Sequence, residues 1–234
     1  MNVFAAPGEL FAAVAAAPFS VANWLVPAAL VAAIGLFANL VVFSQPALVQ
    51  QIVAMQDREI DRAVERGRIR AEDAPRVREA AQGLGMAVAK VAGGVGAAVA
   101  AVLTPLWWGF LGWLVGRWVF RAPVRYLRTV EVAGLASLVA GLGTLVGLFL
   151  AVGLGRLMAG PHLGLLVPDF DIGNRLHLTL GAINLFTLWQ LALVAFGVSR
   201  LIQRAFLPVA LVLAGLWAGY KGVAVILGWV QFAL

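Results

Sequence analysis

Five long apolar stretches dominate this sequence, and they constrain the fold more than any other feature. They cover residues 24–43, 84–120, 130–154, 178–198 and 205–230. A helix of about 20 apolar residues crosses the hydrocarbon core of a bilayer. Of the 234 residues, 62% are hydrophobic and 12% are charged, whereas soluble domains have about 45–50% apolar and about 25% charged residues. We therefore predict an all-α, polytopic membrane helical bundle of about five transmembrane helices, in one domain over residues 1–234.

The opening segment, residues 1–23, is only mildly apolar and contains two prolines. Phe4, Leu10, Phe11 and Val14 give it an amphipathic pattern. An apolar stripe on a short helix can lie in the headgroup region of a membrane. We therefore predict an interfacial helix here and not a span.

Residues 44–83 have a different character, with seven arginines and seven acidic residues. This composition predicts an extramembrane loop, with one helix over 46–67 and a shorter helix after Pro75. Charged side chains form two rows at i,i+4 spacing: Asp57, Asp61 and Glu65 in one, and Arg58, Arg62 and Arg66 in the other. One interpretation is a docking helix for a protein partner or a second protomer. The alternative is a solvated helix folded back on the bundle, supported by Arg58–Asp61 and Arg62–Glu65 pairs.

The second apolar stretch, 84–120, is longer than one perpendicular span needs, and Pro105 lies near its middle. We predict a single kinked or tilted helix, because neither half reaches about 20 residues. Glycines four residues apart recur in the apolar stretches and indicate either packing within the bundle or dimerisation. These pairs are Gly112/Gly116, Gly143/Gly147 and Gly215/Gly219.

The net charge of +6 is better explained by membrane orientation and anionic lipid than by nucleic acid, because the aromatic residues lie inside the apolar stretches. Five spans place the N-terminus and the connections 117–128 and 200–204 on one side. The opposite side has more arginines, but those of 44–83 are matched by acids. Unbalanced short connections dominate orientation, so we predict a cytoplasmic N-terminus.

Polar residues inside the late spans are the candidate functional side chains. Lys221 and Tyr220 lie within 205–230, and Asn184 and Gln190 lie within 178–198. An ionisable residue at membrane depth suggests a functional site. The alternative for Lys221 is that its ammonium snorkels to the nearer membrane face.

The sequence has no pattern typical of an enzyme. It contains no cysteine, and no P-loop, dinucleotide-binding or HExxH motif occurs. Asp169 and Asp171, near His162 and His177, suggest a polar turn more than a metal site. We expect no catalytic residue, cofactor or metal.

The fourth apolar stretch carries a family resemblance. Asn184-Leu185-Phe186-Thr187-Leu188-Trp189, with Leu193, Gly197 and a basic turn at 200–204, resembles the signature of the Yip family. These are five-span membrane proteins named for interaction with Rab-type GTPases. The opening Pro7-Gly8-Glu9-Leu10-Phe11 is similar to the N-terminal pattern of bacterial members, although the family usually has Asp where Asn184 stands. The resemblance implies five helices, a cytoplasmic N-terminus and no catalytic site, and its bacterial pattern implies a bacterial inner membrane.

Two functions remain open from the sequence. The first is a non-enzymatic scaffold or membrane-organising protein, acting through homo-oligomers or through a partner on 44–83. The second is a small transporter, channel or lipid-translocating protein. A transport pathway predicts that Lys221, Tyr220, Asn184 and Gln190 converge in one cavity. A scaffold predicts that each is accommodated separately.

Overall fold

The computed structural model describes residues 3–168 and 170–228, and within them the chain is helical with no strand. Four helices are long and apolar enough to cross a membrane: Ala22–Ser44, Ala74–Val119, Tyr126–Leu154 and Phe206–Leu227. The predicted all-α membrane bundle is confirmed. In chain order the α-helices are α1 (Pro7–Ala16), α2 (Ala22–Ser44), α3 (Pro46–Glu65), α4 (Ala74–Ala80), α5 (Met86–Leu114), α6 (Tyr126–Leu154), α7 (Arg175–Ala182), α8 (Leu185–Leu201) and α9 (Phe206–Leu227).

The centre of the bundle is formed by α6 and α8. Every residue from 129 to 137 of α6 is buried, so this part of the helix is surrounded on all sides, as an apolar helix in a core should be. Helices α2, α5 and α8 pack against α6, and α8 in turn packs against α1 and α9. The outer faces of α2 and α5 remain exposed and apolar, as expected for helices that face lipid.

One continuous helix occupies the region where a single span was predicted over 84–120. It runs from Ala74 to Val119 and therefore begins ten residues earlier. Two wider π-helical turns, Ala81–Gly85 and Val115–Val119, flank α5. At 1.5 Å per residue its 46 residues span about 69 Å, more than twice the hydrocarbon core. The second helix of the charged loop and the membrane span therefore form one continuous helix.

The fourth predicted span, 178–198, is broken in the structure. Helix α7 ends at Ala182 and α8 starts at Leu185. The Asn184 side chain accepts hydrogen bonds from the backbone N–H groups of Phe186 and Thr187. Asparagine side chains favour helix starts over helix interiors, so hydropathy alone could not reveal this break. Helix α8 lies in the core, and its 17 residues are at the short limit for a span.

Helix α1 differs from the predicted interfacial helix. Its apolar stripe of Leu10, Phe11 and Val14 is buried. Phe4 packs edge-on against Trp189, with ring centroids 6.0 Å apart, and Phe11 lies farther along α8 against Phe196. The stripe that would bind lipid in an interfacial helix is therefore covered by α8, and α1 lies lengthwise along it.

The connections gather at two ends of the bundle. At one end, which we call the α1 end, the Arg128 guanidinium donates to the carbonyl of Ala17, 2.9 Å away. At the other end, Gln51 of α3 donates to the carbonyl of Gly155 and accepts from the N–H of Leu157. This arrangement matches the side assignment expected from the alternation of spans. The charged loop and the connection after α6 share one end, and residues 117–128 share the other with the start of α2.

Candidate functional site

Asn184 forms hydrogen bonds with the backbone at the break between α7 and α8. Besides capping α8, it forms a β-bridge with His162 of the connection after α6. The N–H of Leu185 donates to the carbonyl of Pro161, 3.0 Å away. Burial lowers the pKa of the His162 imidazole, and a hydrogen bond to the Met158 backbone opposes this effect only in part. These contacts give Asn184 a structural role at the break.

Lys221 lies inside the bundle on α9, with 8% of its surface exposed. Its ammonium nitrogen is 5.5 Å from the centre of the Tyr220 ring. That ring packs edge-on against Trp107 of α5, with centroids 6.0 Å apart. The low exposure favours an interior position over snorkelling, because a snorkelling ammonium would reach the surface.

Gln190 is the third polar position, on α8. It is 3% exposed, and its amide nitrogen has no hydrogen-bond partner in the part of the chain that the structure describes. Leaving such a donor unpaired costs about 1–3 kcal/mol. This group is therefore a local cost to stability in the core.

The four polar residues line neither of two cavities that the described residues form. One cavity lies in the charged loop and the other at the far end of α5, and neither is lined by Lys221, Tyr220, Asn184 or Gln190. Asn184 caps α8, Tyr220 packs against Trp107 of α5, Lys221 lies beside Tyr220, and Gln190 lies in the core. In the described part of the chain, the break between α7 and α8, the core of α8 and helix α9 thus each hold some of these residues.

Helices α3 and α4 form an extramembrane hairpin, residues 46–80. Arg78 of α4 pairs with Asp61, and its Nε lies 3.9 Å from a carboxylate oxygen of Asp57. Arg62 pairs with Glu59 at 2.5 Å. The predicted Arg58–Asp61 and Arg62–Glu65 pairs do not form, because Asp61 pairs with Arg78 of α4 and Arg62 pairs with Glu59.

The hairpin leaves part of the predicted docking surface exposed. Arg58, Glu65 and Arg66 are exposed, and none of them has an ion pair within residues 3–168 and 170–228. Asp57 and Asp61 instead hold α4 through Arg78, and Arg62 pairs with Glu59 within α3. Two of the three acids in the predicted row therefore bind α4, whereas Glu65, Arg58 and Arg66 stay exposed.

An apolar groove of about 490 Å³ runs along the hairpin. Its walls come from both helices and from the connection after α6. Its lining residues are Ile52, Met55, Gln56, Glu59, Ile60, Val77, Ala81 and Leu157. An apolar groove within a strongly charged extramembrane region is an unusual surface for a chain to leave uncovered.

A buried ion pair, which the sequence analysis missed, joins the start of α6 to the N-terminal segment. Glu131 is fully buried and Arg128 has 15% of its side chain exposed, with 2.5 Å between their charged atoms. Glu131 also accepts from the N–H of Ser20 and from the Asn23 amide, each at 2.9 Å. We call this group the Arg128–Glu131 clamp. Its sequence signal is the one acidic residue within 130–154, three positions after an arginine.

The glycine pairs divide into two kinds. Gly112 faces Val198, and Gly143 faces Phe186, so the first two pairs pack helices within the chain. Around Gly215 and Gly219 a Cβ would meet no described atom within 4 Å. That face of α9 is open to lipid or to another helix.

The polar connection after α6 is only partly described, because Asp169 lies outside the described residues. Among the others no group of three potential metal ligands occurs. Asp171 donates its N–H to the His177 ring at 3.0 Å and accepts from the N–H of Gly173 at 2.8 Å. These local bonds are those of a polar turn.

Comparisons with protein-family models, with curated proteins and with solved structures find no match to this chain. The resemblance to the Yip family therefore stays a prediction from the residues named above. The architecture supports the broader statement that the chain fits a multi-pass membrane protein.

Proposed function

We propose that this protein is a non-enzymatic membrane scaffold that binds a protein partner through its extramembrane hairpin. The hairpin is the observation that carries this proposal. It is attached to the bundle twice, by the continuous helix from Ala74 to Val119 and by the bonds of Gln51 to Gly155 and Leu157. A rigidly attached, charged element with an exposed apolar groove is suited to receive an apolar helix face of a partner.

Site-specific photocrosslinking in native membranes tests this proposal. A photoreactive residue at Met55, in the groove, is expected to give one discrete adduct. The same residue at Arg58, exposed on the same helix but outside the groove, is the matched control and should give a much weaker one. An adduct of twice the chain mass would identify a second copy as the partner. Equal adducts at both positions, or none at either, would contradict docking in the groove.

A cytoplasmic N-terminus in a bacterial inner membrane fits this proposal. The connections 117–128 and 200–204 at the α1 end contain arginines and no acidic residue, whereas the seven arginines of the hairpin are matched by seven acidic residues. Unbalanced basic residues beside spans favour the cytoplasmic side. A Yip-type assignment, kept as part of the proposal, agrees with this orientation and with the absence of a catalytic role.

A small transporter is the second candidate, and one observation favours it. The helix breaks at Asn184, between α7 and α8, and Lys221 is buried on α9, the helix that follows α8. Broken helices and buried charges are typical of substrate sites in secondary transporters. Against this candidate, Asn184, Gln190, Tyr220 and Lys221 line neither the hairpin groove nor the cavity at the far end of α5.

Flux in proteoliposomes separates the two candidates. We expect ion and fluorescent-lipid flux equal to that of empty vesicles, for the wild type and for Lys221→Ala alike. Lys90→Ala is the matched control, because Lys90 is an exposed lysine at the start of α5. Wild-type flux above background that Lys221→Ala abolishes and Lys90→Ala retains would overturn the scaffold proposal.

A further inference from the structure

A second cavity lies at the end of the long helix that faces away from the hairpin. Its volume is about 540 Å³, and it is lined by Trp113, Arg117, Trp118 and Arg121. We call it the arginine cavity. Two guanidinium groups and two indole rings around one opening form a site of specific chemistry, which neither the scaffold proposal nor the transporter proposal uses.

The backbone builds this cavity by an uncommon helix ending. The helix widens into a π-helical turn at Val115–Val119, and the N–H of Ala122 then donates to the carbonyl of Gly116, 2.9 Å away. Arg121 has a φ of 52°, in the left-handed region where glycine is the usual residue. A strained arginine at this position is a reason to look for a function of its side chain.

Neither guanidinium of the cavity has a partner among the described residues. Arg117 and Arg121 form no ion pair and no side-chain hydrogen bond in residues 3–168 and 170–228. By contrast, Arg128 of the same connection binds Glu131 and three backbone carbonyls. The two cavity arginines are thus available for an anion from outside.

The tryptophans indicate where this anion comes from. Trp118 is 71% exposed, and it follows directly on the apolar span of α5. Tryptophans in this position lie at the headgroup level of a bilayer. Arginine binds phosphate with two parallel hydrogen bonds, so the cavity offers guanidinium groups at the depth where phosphodiesters lie.

We propose that the arginine cavity binds the phosphate of an anionic phospholipid headgroup. Arg117 and Arg121 hold the phosphate from two sides, and Trp113 and Trp118 pack against the glycerol and the upper acyl chains. The lipid is retained at the α1 end, on the side where unpaired arginines accumulate. Lipid retention at this site does not depend on whether the chain is a scaffold or a transporter.

Native mass spectrometry of the full chain from nanodiscs tests this site. The nanodiscs contain equal amounts of phosphatidylglycerol and phosphatidylcholine, and the ratio of the two lipids retained on the protein is measured. We expect the wild type to favour phosphatidylglycerol. Each guanidinium should contribute about fivefold, so Arg117→Gln/Arg121→Gln should remove most of the preference. Arg125→Gln, in the same connection but outside the cavity, is the matched control and should keep it.

The variant Arg121→Gly tests the loss of the guanidinium without disturbing the backbone turn. Glycine adopts a φ of 52° freely, so this variant keeps the turn, and its thermal midpoint should not fall. We expect it to lose about fivefold in the lipid ratio nonetheless. An unchanged ratio in both cavity variants, or an equal loss in Arg125→Gln, would overturn the proposal. Inorganic phosphate that competes off the lipid at millimolar concentration would show a free-anion site and would equally overturn it.

Discussion

Replacing Glu131 by alanine is expected to lower the free energy of unfolding by about 3–5 kcal/mol, the usual cost of leaving one charge of a buried pair without its partner. Glu131 is fully buried, and it accepts bonds from Ser20, Asn23 and Arg128. The change therefore leaves an unpaired guanidinium and two unpaired donors. Unfolding by SDS titration in detergent micelles, followed by tryptophan fluorescence, measures the loss.

Three further variants show whether the loss of stability comes from an unpaired buried charge. Arg128→Ala should cost as much as Glu131→Ala, because it leaves a fully buried carboxylate. The double variant should cost less than the sum of the two, since neither charge is then left unpaired. Arg125→Ala is the matched control, being exposed and without a side-chain bond in the described chain, and should stay within about 0.5 kcal/mol. A loss below about 1 kcal/mol in Glu131→Ala would contradict this assignment.

The clamp also predicts that α1 becomes more accessible to solvent when Arg128 is replaced. Arg128 binds the carbonyls of Val14, Ala15 and Ala17, at the end of α1. The chain contains no cysteine, so Val14→Cys provides a single thiol on the buried face of α1. We expect slow maleimide labelling of Val14→Cys and faster labelling when Arg128→Ala is added. An equal labelling rate would show that α1 is held by α8 alone.

Hydropathy predicted the bundle because its signal depends only on how many apolar residues follow one another. Hydropathy did not predict the break at Asn184, because the residues on both sides are apolar. The cause of the break is a single side chain that competes with the helix backbone. Hydropathy did not predict the burial of α1 either. The stripe of Leu10, Phe11 and Val14 fits lipid and protein equally, and only the path of α8 decides between them.

The pairing of the charged residues also depended on the fold and not on the sequence pattern alone. Residues 57–66 contain enough charges for several i,i+3 and i,i+4 pairs, and the sequence could not rank them without the position of α4. Arg78 lies 17 residues from Asp61, and their pairing follows from the fold of the hairpin. Likewise, the sequence placed Arg117, Arg121 and Arg128 in one basic connection. The structure separates them, because Arg128 turns toward Glu131 whereas the other two turn toward the arginine cavity.

Gly134→Ala is expected to be the most damaging addition of a single methyl group in the bundle. A Cβ at this position would overlap sterically with the Cα and Cβ of Trp24. It would also lie 3.0 Å from the carbonyl oxygen of Asn23. The backbone of α2 cannot yield there without moving Asn23 away from Glu131. Overpacking of this kind costs about 1–3 kcal/mol, and we expect the upper part of that range because the clamp is strained at the same time.

Gly96→Ala is the matched control for this effect. Gly96 lies on α5, and a Cβ there would meet no described atom within 4 Å. Since alanine is the better helix former by about 1 kcal/mol, Gly96→Ala should leave the unfolding free energy unchanged or raise it. If close contact with α2 is the cause, Gly134→Ala combined with Glu131→Ala should cost less than the two single losses added, because both act on the same junction. Additive losses would mean that α2 and the clamp fail independently, and the N-terminal segment would then be held at two separate places.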